Sequence, residues 1–211
     1  MERVRVPEGV IERLSSYLRC LNGLKAEGYT VVSSKKLSMS ARVNAAQIRR
    51  DLSWFGSFGR RGLGYDIEKL ISIISDILDI KHGHRIALVG VGNLGSAILR
   101  YSGLKDQGFV VSEVFDKDPN KIGKKIAGVK IKGFSQLVPV LNKTKINIGI
   151  IAVPGEDAQE VADKLVEGGV QIILNYTPKA ITVPPDVYLH TADPAREILH
   201  TLYYLTRASA R

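Results

Sequence analysis

Three glycines spaced Gly90-x-Gly92-x-x-Gly95 follow the apolar run Ile86-Ala87-Leu88-Val89 and lead into Ser96-Ala97-Ile98-Leu99-Arg100. A buried strand, a glycine turn and the start of a helix, in that order, are suited to holding a phosphate. Gly90 permits the tight turn, Gly92 lets the backbone approach a pyrophosphate, and Gly95 lets helix and strand pack closely. The first amides of the helix then face the anion with the positive end of the dipole. The next apolar run, Val110-Val111-Ser112-Glu113-Val114-Phe115, ends at Asp116, 21 residues beyond Gly95. A carboxylate there suits the ribose hydroxyls of NAD and repels a 2′-phosphate. Lys117, beside it, keeps NADP open, and glycines that merely pack a turn are the plainer alternative.

A second chemistry is written in charge. Residues 33–65 carry seven basic groups (Lys35, Lys36, Arg42, Arg49, Arg50, Arg60, Arg61) against one acid, Asp51, within a chain of formal net charge +9. The stretch from 85 to the end holds 16 basic and 12 acidic residues, a milder excess over a far longer chain. Concentrated positive charge suggests a polyanion partner, the alternative being a solvated basic face. Gln47, Arg49 and Arg50 could meet base edges or phosphates from a helix in the major groove, with Ser53 a further phosphate contact. Arg60 and Arg61 could enter a flanking minor groove.

The elements that must position these groups follow from periodicity. Apolar residues at Val10, Ile11, Leu14, Leu18, Leu21 and Leu24 predict a helix over 7–27. Ser33-Ser34 caps a short helix through about Ser40. Asn44 caps a third, Ala45 to Phe55, with Ala46, Ile48, Leu52 and Phe55 inward and Trp54 packed into the domain. Gly56–Tyr65 reads as a glycine-punctuated hairpin with Arg60 and Arg61 at its tip. Helix, short helix, basic helix and basic hairpin make a winged helix-turn-helix pattern. A helix from Asp66 to about Ile80 closes it, and Lys81-His82-Gly83-His84 is the boundary.

Beyond that boundary strands at 85–89, 110–115, 146–153, 171–175 and 187–190 alternate with helices at 94–101, 135–142 and 156–167. Alternation predicts a Rossmann-type parallel sheet with helices on its faces, hence an α/β chain. The predicted organisation is 1–82 for a winged-helix DNA-binding domain, 83–191 for an NAD(H)-binding domain and 192–211 for a C-terminal helix. That helix carries an apolar stripe at Ala195, Ile198, Leu199, Leu202, Tyr203 and Leu205. It could pack on its own sheet or be exchanged between two copies.

Several classes are disfavoured. Cys20 is the only cysteine, so an intrachain disulfide or cysteine metal cluster cannot form. The histidines (His82, His84, His190, His200) show no ligand spacing, which points away from metal. Tyr176 and Lys179 fall in a proline-containing loop and not on one helix face, so no catalytic pair stands out. No apolar run approaches the roughly 20 residues of a bilayer span, and Met1–Arg5 lacks a signal-peptide core. A cytoplasmic protein is expected.

Joined in this order, the pieces resemble the Rex family of redox-sensing transcriptional repressors over nearly the whole chain. The resemblance rests on Gln47-Ile48-Arg49-Arg50-Asp51-Leu52-Ser53-Trp54-Phe55-Gly56, Gly59-Arg60-Arg61-Gly62-Leu63-Gly64-Tyr65 and Val89-Gly90-Val91-Gly92-Asn93-Leu94-Gly95. Phe115-Asp116-Lys117-Asp118-Pro119 and Asn175-Tyr176-Thr177-Pro178 add to it. It implies a homodimer that binds an inverted-repeat operator and releases it as NADH rises, with the terminal helix exchanged between subunits. The effector would meet Gly90, Val91, Gly92, Asn93, Leu94, Gly95, Asp116, Lys117, Val153, Pro154, Asn175 and Tyr176. Ser34 joins Gln47, Arg49, Arg50, Ser53, Arg60 and Arg61 on the DNA. Arg19, Tyr101 and Asp193 match the family's interface network. Two departures stand out: Asn175-Tyr176-Thr177-Pro178 replaces the more usual Asn-Phe-Ala-Pro, and Pro194 replaces a bulkier apolar residue. The rivals are an NAD-dependent oxidoreductase with a helical appendage and a winged-helix regulator sensing NADP or an acyl-CoA.

Overall fold

The computed structural model describes residues 6–56, 58–59, 63–193, 195 and 198–199. The chain divides into two compact units, Met1–His82 and Gly83–Arg211. In the first, α1 (Glu8–Ala26) buries Val10, Leu14, Leu18, Leu21 and Leu24 of the predicted stripe together with Tyr17, whereas Ile11, also expected inward, is 37% exposed. Strand β1 (Val31–Val32) leads to α2 (Ser34–Ala41), where the Ser33 hydroxyl accepts the Lys36 N–H. Helix α3 (Ala45–Ser53) begins where the Asn44 side chain accepts the Ala46 N–H. Both caps satisfy amides that a helix start otherwise leaves unpaired.

Helix α3 buries Ile48, Asp51 and Leu52. Ala46 is exposed and Trp54 is 44% exposed, contrary to the expectation that both face inward. Each stands two residues from the Ile48–Leu52 stripe, and two residues are roughly 200° of helical rotation. Phe55, seven residues from Ile48, does pack against the core.

Strand β2 (Tyr65–Asp66) pairs antiparallel with β1, Val32 opposite Tyr65. The described part of the expected hairpin is thus anchored on the strand that precedes α2. Its tip, with Arg60 and Arg61, lies outside the described residues. Asp66 accepts the Lys69 N–H and starts α4 (Ile67–Ile77), which completes the core with Ile67, Leu70 and Ile74.

The second unit is a seven-stranded sheet in the order β5-β6-β4-β3-β7-β8-β9. Its strands are β3 (His84–Val89), β4 (Phe109–Asp116), β5 (Lys125–Ile126), β6 (Val129–Gly133), β7 (Ile148–Ile151), β8 (Ile172–Asn175) and β9 (Tyr188–Thr191). All neighbours run parallel except β5 and β6. The sheet is therefore mixed rather than wholly parallel, and this edge hairpin escaped the sequence reading. Its turn, Ala127-Gly128, has φ of +48° and +85°, the geometry of a tight two-residue hairpin without the usual Asn-Gly or Asp-Gly signal.

Helices α5 (Asn93–Arg100) and α6 (Gly103–Asp106) follow β3, while α7 (Leu137–Thr144) and α8 (Ala158–Glu167) flank β7. One face of the sheet is closed by Leu137, Leu141, Val161 and Leu165 against Val89, Phe115 and Ile151. On the other, Ile86, Leu88, Ile148 and Ile150 meet Ile98 and Leu99 of α5. Strand β3 lies between β4 and β7, so the chain order reverses there and leaves a crevice at the carboxyl ends of the strands. The terminal helix begins where Asp193 Oδ1 accepts the Ala195 N–H at 2.9 Å. Pro194, Leu202, Tyr203 and Leu205 lie outside the described residues. Among the described residues no helix is long and apolar enough to cross a membrane.

Candidate dinucleotide and nucleic-acid sites

The crevice has a volume of about 480 Å³ and is lined by Val89–Gly92, Asp116–Asp118, Lys121, Phe134, Ala152–Pro154, Asp157 and Val161. Gly90 has φ of +95°, and a Cβ there would collide with the Ala152 carbonyl oxygen. A Cβ on Gly95 would collide with the carbonyl oxygen of Gly90, so the glycine turn folds back on α5. Gly92, at the start of α5, has nothing within 4 Å of where a Cβ would stand. No side chain caps α5. Helix amides therefore open toward free space, as an anion site requires.

Asp116 is only 8% exposed. Its Oδ2 accepts the Val91 N–H at 2.8 Å and its Oδ1 the Asp118 N–H at 2.8 Å, with Lys121 Nζ 3.2 Å from Oδ2. Burial alone pushes this carboxyl up, but the two amides and Lys121 outweigh it and hold it below the usual aspartate range. Asp116 thus ties the end of β4 to the glycine turn and keeps roughly one of its four lone-pair sites for a ribose hydroxyl. Lys117 Nζ lies 2.8 Å from both Asp157 and Glu160. These partners raise its pKa and oppose its charge, which weakens the case for a 2′-phosphate.

Not every expected cofactor residue lines this crevice. Asn175 is fully buried, donating to the Lys179 carbonyl at 3.0 Å and accepting the Thr177 N–H at 3.0 Å. It shapes the turn after β8. Tyr176 opens instead onto an apolar groove of about 580 Å³, with Tyr101, Ile150, Ile172 and Leu174 among its walls. Asn93, Leu94 and Gly95 form the first turn of α5.

In the first unit, Arg49 Nη1 donates to Ser34 Oγ at 2.9 Å, joining the middle of α3 to the start of α2. Arg50 and Ser53 are exposed on the same helix, Ser53 Oγ donating to the Arg50 carbonyl. Gln47, expected on this face, donates instead to Asp51 Oδ1 at 2.7 Å. Asp51 itself is fully buried and held by Arg13 and Tyr17 of α1, a group the sequence reading missed. Its signal was a lone acid amid basic residues, facing an Arg–Tyr pair four apart. Arg19 and Tyr101 are exposed and Asp193 is half-buried. Among the described residues no group of three or more histidine, cysteine, aspartate or glutamate side chains is arranged to hold a metal.

Residues 81–179 match the CoA binding domain family, and residues 5–53 the family of putative DNA-binding protein N-termini. The redox-sensing transcriptional repressor Rex of Chloroflexus aurantiacus is 46% identical over 208 residues, 98% of each chain. This chain belongs to the Rex family. The Rex of Rubrobacter xylanophilus is 44% identical over 98% of this chain and 95% of its own. Among solved structures, that of the Rex-family repressor RSP with β-NAD⁺ and operator DNA has a TM-score of 0.91 at 34% identity, covering 99% of this chain and 96% of that one. RSP with β-NADH gives 0.89 at 33% identity.

Proposed function

We propose that this Rex-family chain is a transcriptional repressor that senses the NADH/NAD⁺ ratio, binding an inverted-repeat operator as a homodimer and leaving it when NADH rises. The observation that carries the reading is likeness along 99% of the chain to a repressor crystallised with both β-NAD⁺ and operator DNA. Residues 1–82 hold the DNA, with Ser34, Arg49, Arg50 and Ser53 on the described face and Arg60 and Arg61 on the wing. Residues 83–191 hold NAD(H) in the crevice around Gly90–Gly95, Asp116, Val153 and Pro154. The dinucleotide is an effector and undergoes no hydride transfer. The protein works in the cytoplasm, where operator and nucleotide pool meet.

Residues 192–211 join two copies. The apolar groove beside Tyr101, Ile172 and Tyr176 suits the stripe at Ile198 and Leu199, both more than 60% exposed in the single chain. Arg19, Tyr101 and Asp193 are the interface and switch residues of that dimer. NAD⁺ and NADH share every phosphate and ribose, so the ring must discriminate. Two oxidised rings meeting about 5 Å apart at an effective dielectric of about 20 repel by roughly 3 kcal/mol, more than a hundredfold in affinity. Neutral reduced rings escape this cost and favour the closed dimer.

The test begins with selection from a randomised inverted-repeat duplex pool. Fluorescence anisotropy on the recovered duplex is then titrated with NADH, NAD⁺, NADPH and coenzyme A. Release at much lower NADH than NAD⁺ is the expected result. Recovery of no preferred duplex by a chain that still binds NADH would leave the oxidoreductase alternative standing. Release by coenzyme A alone would move the effector to another nucleotide.

A further inference from the structure

Asp51 is the single acid among the basic groups of residues 33–65, and its side chain is completely buried. Arg13 Nε donates to Oδ2 at 2.6 Å and Arg13 Nη2 to Oδ1 at 2.8 Å. Tyr17 Oη donates to Oδ2 at 2.7 Å, and Gln47 Nε2 to Oδ1 at 2.7 Å. Arg13 and Tyr17 stand about one turn apart on α1, as Gln47 and Asp51 do on α3. Four donors from two helices thus fill the roughly four lone-pair sites of one carboxylate.

Cohesion alone does not call for this arrangement. Leu14, Leu18, Ile48 and Leu52 already form an apolar contact region in the same core, and a buried ion pair is often no more stabilising than apolar packing of equal volume. What a bidentate guanidinium–carboxylate pair adds is direction, because its planar fork tolerates little sliding or rotation. Burial pushes the Asp51 carboxyl up, but the bonds from Arg13, Tyr17 and Gln47 outweigh it and keep the group ionised. Tyr17 is pushed up by burial and by Asp51, so its hydroxyl remains a donor.

We propose that Asp51 is a positioning residue for operator readout: clamped by Arg13 and Tyr17, it fixes the rotation of α3, and it retains Gln47 in the clamp rather than on the DNA. The rotation it sets is the one that presents Arg49, Arg50 and Ser53. The inference rests on the reading of α3 as the helix that meets the operator. It assigns Gln47 a structural bond in place of a base contact.

The experiment uses the full chain and the duplex recovered by selection, beside a scrambled duplex of the same length. The double variant Arg13→Met/Asp51→Leu replaces the clamp with apolar side chains. It is expected to bind the scrambled duplex within about threefold of wild type but to lose roughly tenfold or more on the selected one. Gln47→Ala is expected to lose less than about tenfold and to keep the same base preference at every position. An unchanged ratio of selected to scrambled affinity in the double variant overturns the proposal. So does relaxed preference at a single A·T pair in Gln47→Ala, the signature of a glutamine that reads adenine. Should the double variant fail to fold, the Gln47→Ala profile decides alone. Arg49→Ala is the control: if it too leaves the selected duplex bound as in wild type, the assignment of α3 falls and takes this proposal with it.

Discussion

Gly92 and Gly95 stand three residues apart and meet opposite surroundings, so alanine at each should fail differently. At Gly92 a methyl enters open space at a backbone conformation any residue adopts. Gly92→Ala is expected to melt within about a degree of wild type, yet to lose tenfold or more in NADH affinity by calorimetry, because the methyl occupies the path of the pyrophosphate. At Gly95 the methyl strikes the Gly90 carbonyl. Gly95→Ala is expected to destabilise the second unit by about 1–3 kcal/mol, read from thermal unfolding, with NADH binding lost alongside. Asp51 supplies a pH prediction. Its carboxyl is held below the ordinary value in the folded chain. The stability it gives is therefore complete above about pH 4 and is lost as the pH falls further through the folded value. An acid titration of far-ultraviolet circular dichroism should show the first unit of wild type unfolding with a steeper pH dependence than that of Asp51→Asn.

Helix starts were written plainly in the sequence. Ser33, Asn44 and Asp66 each accept an amide two or three residues on, and each is a residue type whose short oxygen does so. Asp66→Ala should cost about 1 kcal/mol, a fall of roughly 4–8 °C for a unit of this size. Differential scanning calorimetry would register it in the transition of the first unit. The strands beside the glycine turn were equally legible, since Ile86–Val89 of β3 and Ile148–Ile151 of β7 are short runs without a charged residue, buried throughout. Part of what stayed hidden depended on partners distant in sequence. Asp51 is a charged residue whose burial becomes tolerable only because Arg13, 38 positions away, reaches it. The β5–β6 hairpin is short, rich in lysine and turned by Ala127-Gly128, so local propensity gave it little weight. The resemblance places Asn175 with the effector, and local pattern gave no sign that its side-chain amide also spans the following turn. The wing was legible as a glycine-punctuated segment, but its pairing with Val31–Val32 crosses two helices that no local pattern spans.

At the scale of the whole molecule, the proposed reading links DNA binding and dinucleotide sensing through a dimer. Ile172→Lys places a charge in the apolar groove, where Ile172 is partly exposed. Sedimentation velocity is expected to show a monomer that still binds NADH and no longer holds the selected duplex. A double-mutant cycle on Arg19 and Asp193, read as the NADH concentration that releases the duplex, should give a coupling of about 1–3 kcal/mol; additive single effects would remove the pair from the switch. The crevice, meanwhile, is lined by three carboxylates (Asp116, Asp118, Asp157) and two ammonium groups (Lys117, Lys121), with Lys117 bridging to Asp157 and Glu160. On the proposed reading, its hold on a pyrophosphate comes from main-chain amides, not from a surplus of side-chain cations. On the same reading, operator affinity drawn from arginines on phosphates falls steeply as counterions accumulate, whereas an amide cradle facing a compensated pocket changes little. Ionic strength is therefore expected to act as a volume control on repression: a rise in ambient salt would thin operator occupancy at every redox poise while the sensor's scale stays where it was.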